Sequence, residues 1–234
     1  MPASATRVGA LLGLSVIGKL GGALLLPVMT RRSGRSTLWA CLGVVALATL
    51  PFMAAGPRMA ASLLTYAHSW EFNGSLFDAC AALLRNHGLA RVPVSAALLV
   101  VLVRSRRSAA PMADIAFVVF TAAFLLAPTV YPWYLLWPLP FAVATVARTQ
   151  RPAAWSVVVW GWTSMLSYAV LGPYRRAGVW HLSPWVQLAE YAPVFALLAA
   201  DAGLRAEVRR TLADMRGWRG GARRGGARRA GADT

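Results

Sequence analysis

Carboxylates are scarce in this chain: 8 Asp and Glu stand against 24 Lys and Arg over 234 residues. Charged residues of either sign make up 14% of the sequence, where a soluble domain carries roughly 25%. That shortfall excludes a water-facing surface over most of the molecule. Cysteine is nearly missing, at 2 residues. Cys41 falls inside an apolar block and Cys80 in a segment read as outside, which argues against a disulfide between them, and no zinc-type spacing occurs. Soluble catalytic fingerprints are absent too: there is no G-x-S-x-G elbow, P-loop, H-E-x-x-H or dinucleotide-binding glycine motif. His68, His87 and His181 are widely spaced and lack an adjacent carboxylate, so neither a metal nor another cofactor is expected.

What the chain has in abundance is apolar sequence, 58% of residues, with a mean hydropathy of +0.53. It falls in blocks of about 14 to 22 residues, the length of membrane-crossing helices. The fold expected is an all-α polytopic membrane bundle of about seven transmembrane helices, near 8–29, 38–55, 89–103, 112–127, 134–146, 153–171 and 186–200. Residues 1–204 would form the bundle. Residues 205–234, basic and glycine-rich, would form a disordered tail that meets anionic headgroups.

The net charge of +16 is distributed in a way that sets nucleic acid aside. Arg31, Arg32 and Arg35 follow one block; Arg104, Arg106 and Arg107 come two blocks later; Arg148 and Arg151 two later again; nine more lie between Arg205 and Arg229. Excess on alternate loops is the positive-inside pattern. It implies a multi-pass plasma-membrane protein whose basic loops and tail are cytoplasmic. On that reading the N-terminus and residues 56–88, 128–133 and 172–185 lie outside.

Outside, the densest segment is 129–140, TVYPWYLLWPLP, with more Tyr and Trp than membrane-edge anchoring requires. Residues 59–68 read as a short interfacial helix, 70–75 as a turn around Asn73-Gly74, and 75–84 as a return to helical spacing. Glu71, between Trp70 and Phe72, is the local candidate for a base, against a simple ion pair with an arginine such as Arg58. Lys19, in mid-block, points to a phosphate partner or to a stem stretched toward an interface past Gly18, Gly21 and Gly22. Arg175 and Arg176, outside against the charge rule, suit a phosphate headgroup or ordinary lipid. Lys19 and Glu190 are the one intramembrane pair of opposite charge that a transporter reading would use.

Residues 70–77 (WEFNGSLF) and 128–140 (PTVYPWYLLWPLP) resemble the polyprenol-phosphate-sugar-dependent membrane glycosyltransferases, in particular glycosyltransferase family 87, which includes bacterial mannosyltransferases. Gly18-Lys19-Leu20, Leu26-Pro27, Arg31-Arg32 and Pro51-Phe52 stand in the order of that family's motifs. The resemblance implies a many-helix enzyme with an outward-facing site. Such an enzyme moves a sugar from a polyprenyl-phosphate donor to a lipid or polysaccharide acceptor, with inversion and without a bound nucleotide. It assigns substrate contact to Lys19, Trp70, Glu71, Asn73, Tyr131, Trp133 and Tyr134. The family's catalytic aspartate precedes the Lys19 motif, and Met1–Arg7 holds no acid; relatives carry histidine where Tyr131 stands. The implied partners are the donor, the acceptor, membrane lipids, and a missing N-terminal half or a partner chain. The expectation is a truncated or split mannosyltransferase-like enzyme, or alternatively a non-catalytic membrane subunit or pseudoenzyme.

Overall fold

The apolar run at 8–29 does not form one helix. In the computed structural model, which describes residues 2–56, 58–206 and 208–210, Leu20 takes left-handed backbone with φ 60°. It separates α1 (Pro2–Lys19) from α2 (Gly21–Ser33). The chain reverses there. A Cβ at Gly22 would lie 2.6 Å from the Leu12 carbonyl oxygen and 3.0 Å from Ser15 Cβ. In a continuous helix those residues would be separated by roughly 10–15 Å of rise.

α3 (Arg35–Thr49), continued by a 3-10 segment at Leu50–Ala55, lies parallel to α1. Gly9 meets Thr37 and Ala40, and Gly13 meets Cys41 and Val44, so closely that a Cβ at Gly9 would come within 2.3 Å of the Thr37 carbonyl oxygen. Glycines four apart let two backbones approach in this way. Thr37 Oγ1 donates to Ala5 O (3.3 Å), satisfying a buried hydroxyl at the start of both helices. The start of α1 therefore shares an end of the bundle with Arg31, Arg32 and Arg35. The block reading sets the N-terminus opposite the arginine loops; the structure instead splits the 8–29 block into two antiparallel helices and sets the start of α1 at the arginine end.

The remaining elements are α4 (Arg58–Ser69), α5 (Leu76–Leu84), α6 (His87–Arg107), α7 (Met112–Leu126), a 3-10 turn at Pro132–Leu136, α8 (Leu139–Thr149), α9 (Pro152–Thr163), a 3-10 stretch at Ser164–Val170, α10 (Leu171–Ala177) and α11 (Pro184–Ala200). Their starts follow local chemistry. Asn86 caps α6 by accepting from Leu89 N–H (2.9 Å), and proline sits in the first turn of α8, α9 and α11, where a missing N–H costs nothing. Among the described residues, an isolated bridge between Phe72 and Thr129 is the sole β-pairing.

The arginine segments converge on one end. Arg31 Nη1 donates to Arg106 O (2.5 Å), and Arg32 Nη2 to Ser108 O (3.1 Å) and Ala110 O (2.5 Å). Arg148 pairs with Asp114, and Arg151 grips Asp201 through two nitrogens (2.6 and 3.1 Å). Following the chain from that end, α1 leaves, α2 returns, α3 leaves, α6 returns, α7 leaves, α8 returns, α9 to α10 leave and α11 returns. α4 and α5 lie at the opposite end. Three helical stretches, Arg35–Ala55, His87–Arg107 and Pro152–Ala177, are long and apolar enough to cross a membrane. Phe120, Phe124, Trp160, Tyr191 and Val194 form the central core where α7, α9 and α11 meet. Large apolar side chains such as Trp39, Leu47 and Trp162 face outward (67, 72 and 80% exposed). Of the tail expected to be disordered at 205–234, residues 205, 206 and 208–210 are helical, and 211–234 lie outside the described residues.

Candidate functional site

The end opposite the arginines is built from two loops that are more than fifty residues apart in the chain and physically joined. Phe72 N–H donates to Pro128 O (2.9 Å), and Val130 N–H donates to Phe72 O (2.8 Å). Thr129 Oγ1 adds a bond to Trp70 O (2.8 Å). Tyr66 of α4 shares a 2.8 Å hydroxyl–hydroxyl hydrogen bond with Tyr134. Burial pushes the phenols of Tyr66 and Tyr131 above their ordinary range, so both stay protonated and available as donors.

Around this seam the rings form a ladder. Trp133 stacks on Tyr131 (4.6 Å, 7°), Tyr131 on Phe72 (4.9 Å, 20°), Phe72 meets Trp180 (5.4 Å), and Trp180 meets Tyr174 edge-on (5.2 Å). Phe72 is buried, whereas Trp133, Trp180 and Tyr174 at the two ends are exposed. Both faces of Tyr131 are thus occupied, leaving its edge and hydroxyl. Trp133 sits at the open end of the stack. Trp70 is about half exposed and lies against Tyr66 (5.4 Å).

Lys19, the chain's single lysine, comes to this end as well. The α1–α2 turn packs on the aromatic segment so tightly that a Cβ at Gly21 would lie 2.3 Å from Trp137 Cζ3. Lys19 is exposed, two residues before that contact.

Glu71 and Asn73 are placed differently from the other candidates. Glu71 is paired with Arg91 (2.9 Å) and His87 (2.5 Å), so the arginine that meets it comes from α6 and not from the Arg58 end of α4. Arg91 also donates to Ala67 O and His68 O (2.8 and 3.0 Å), tying the end of α4 to α6. Asn73 is buried with left-handed backbone (φ 56°), and its Nδ2 donates to Glu190 Oε2 (3.0 Å). Glu190 is fully buried and accepts from Trp160 Nε1 (2.9 Å) at its other oxygen. Tyr191 OH closes the arrangement on Asn73 O (2.7 Å). Glu190 therefore meets neutral donors, not Lys19, and the network clamps the 70–75 loop to α11.

Asp78, at the start of α5, accepts from Gln187 Nε2 (3.0 Å), and its Oδ1 lies beside Gly74. Burial raises its pKa, with the Gln187 bond opposing. Sequence reasoning named neither Gln187 nor Trp160 nor Arg91 for this end. The i, i+3 spacing of Gln187 and Glu190 on an apolar helix was the one signal available for the α11 side.

No protein family model, curated protein or solved structure matches the chain. What stands without them is the class: an all-helical protein with helices of membrane length, an arginine-rich end and an aromatic end. Its particular activity is argued from the site.

Proposed function

We propose that the protein is a membrane glycosyltransferase of the polyprenyl-phosphate-dependent class, with its donor site at the aromatic end. The basic loops and the tail then lie in the cytoplasm, and the bundle crosses the plasma membrane at more than the three long apolar helices. The observation that carries the reading is the joining of segments 70–77 and 128–140 into one aromatic wall, with the exposed Lys19 turn packed against Trp137. An exposed Trp133 face offers a platform for a sugar ring, Tyr134 stands edge-on beside it, Trp70 lies on the same seam against Tyr66, and Lys19 offers a point charge for the phosphate.

Transfer requires a base for the acceptor hydroxyl, which attacks the anomeric carbon as the polyprenyl phosphate leaves. Among the described residues three carboxylates lie toward this end. Glu71 is held by an ion pair with Arg91 and a hydrogen bond with His87, and Glu190 is sealed from solvent. Asp78, partly exposed and raised in pKa by burial, is the carboxylate left for the role. The commitment of Glu71 to Arg91 and His87 favours the second reading, a subunit that binds the lipid-linked sugar without transferring it.

The test uses the full chain in nanodiscs with radiolabelled polyprenyl-phosphate mannose. Saturable binding that falls about tenfold in Lys19→Ala and in Trp133→Ala is expected, a loss of ~1.4 kcal/mol each. Asp78→Asn should retain binding and lose release of polyprenyl phosphate. Binding without any turnover in the unaltered chain selects the subunit reading; no binding at all removes both.

A further inference from the structure

A half-open cleft of about 280 Å³ lies beyond the Trp180 end of the aromatic ladder. Its lining is apolar, with Val170, Pro173, Val179 and Val186 among the walls and His181 at its polar side. Its floor continues the cluster of Phe72, Val170 and Leu182, so the ladder separates it from the Trp133 face. The volume lies just below the roughly 300–1,000 Å³ of small-molecule pockets, enough for one hydrocarbon segment and too little for a diacyl body.

Arg175 and Arg176 sit on the helix that supplies Pro173. Arg176 follows Pro173 by three residues, which sets it one turn further along the same face. Both arginines are exposed, and neither makes an ion pair among the described residues. The Arg176 guanidinium lies beside Gly172, next to Pro173 of the apolar wall, with exposed Arg175 adjacent in the chain, so positive charge stands at the rim of an apolar cleft. Arginine's planar fork matches the oxygens of a phosphate.

We propose that this cleft binds an anionic phospholipid drawn from the bilayer: Arg175 and Arg176 hold its phosphate, and the near part of one acyl chain fills the space between Pro173, Val179 and Val186. The site is separate from the donor site proposed above and does not depend on it.

Native mass spectrometry of the delipidated full chain tests the proposal, with phosphatidic acid as probe. Diacylglycerol serves as the headless control, phosphatidylcholine as the zwitterionic control and inorganic phosphate as the chainless control. Phosphatidic acid is expected to bind at least fivefold more tightly than any control. Arg175→Ala with Arg176→Ala, and separately Val179→Trp at the rim, are each expected to reduce that binding at least fivefold. Arg175→Lys with Arg176→Lys, which keep the charge and lose the planar fork, should bind more tightly than the alanine pair and less tightly than the unaltered chain, and this separates loss of charge from loss of fold. Equal retention of diacylglycerol removes the arginine role, equal binding of inorganic phosphate removes the cleft, and full binding in Val179→Trp removes the chain from it.

Discussion

Asn73 and Glu190 stand 117 positions apart and meet inside the protein, and their bond fixes the loop on which the aromatic wall depends. Replacing Asn73 with alanine removes a hydrogen bond to a buried carboxylate and puts a Cβ-branched-free but non-glycine residue into left-handed backbone, for a combined cost of about 2–4 kcal/mol. Thermal unfolding should fall by about 4–16 °C, and Asn73→Asp, which sets a second carboxylate against Glu190, should be worse than Asn73→Ala. A melting curve in detergent reads both; unchanged melting in Asn73→Asp contradicts the clamp. At the other end, Arg151 foremost, with N–H groups of Leu204 and Ala153, holds the Asp201 carboxyl at about 2. The folded value lies below the unfolded one, so the stabilisation, about 2 kcal/mol, is complete above roughly pH 4 and is lost as pH falls toward 2. Asp201→Asn should therefore lower stability at pH 7 and flatten its dependence between pH 4 and 2, measured by denaturation across that range.

At the scale of elements, the α1–α3 pair relies on Gly9 and Gly13. Gly9→Leu drives a side chain into the Thr37 carbonyl, and overpacking of this kind costs typically 1–3 kcal/mol. Reduced thermal stability with the aromatic end still able to bind donor is the expected outcome, since α1 and α3 lie away from the central core. What the sequence made legible follows the same line. Five of the apolar blocks, the short helix at 59–68 and the turn at Asn73 correspond to elements, because length, hydropathy and Asn-Gly chemistry are local properties; the 134–146 block starts in a 3-10 turn, and its helix begins only at Leu139. The break at Leu20 was not legible: leucine gives no signal for left-handed backbone, and the glycines around it read as room for Lys19. The partners of Glu71 and Asn73 were equally hidden, since Arg91 and Glu190 are selected by packing between distant helices and not by spacing.

For the whole molecule, the hairpin at Leu20 brings the start of α1 to the arginine end, which the end of α11 shares. Cysteine introduced at Ser4 and at Ser108 should be labelled from the same side of intact vesicles by an impermeant maleimide, and cysteine at Leu83 from the other. Labelling of Ser4→Cys and Leu83→Cys from one side contradicts the placement of the two at opposite ends of the bundle. The same geometry gathers Lys19, Trp133 and Tyr134 at one end, which is the central claim. Photo-crosslinking with a polyprenyl phosphate that carries a diazirine near the phosphate, followed by peptide mapping, tests it most directly. Adducts concentrated in residues 17–22, 66–77 and 128–140, and competed by unlabelled polyprenyl-phosphate mannose, are the predicted result. Adducts spread along the outward faces of α1, α3 and α6 without competition would contradict it.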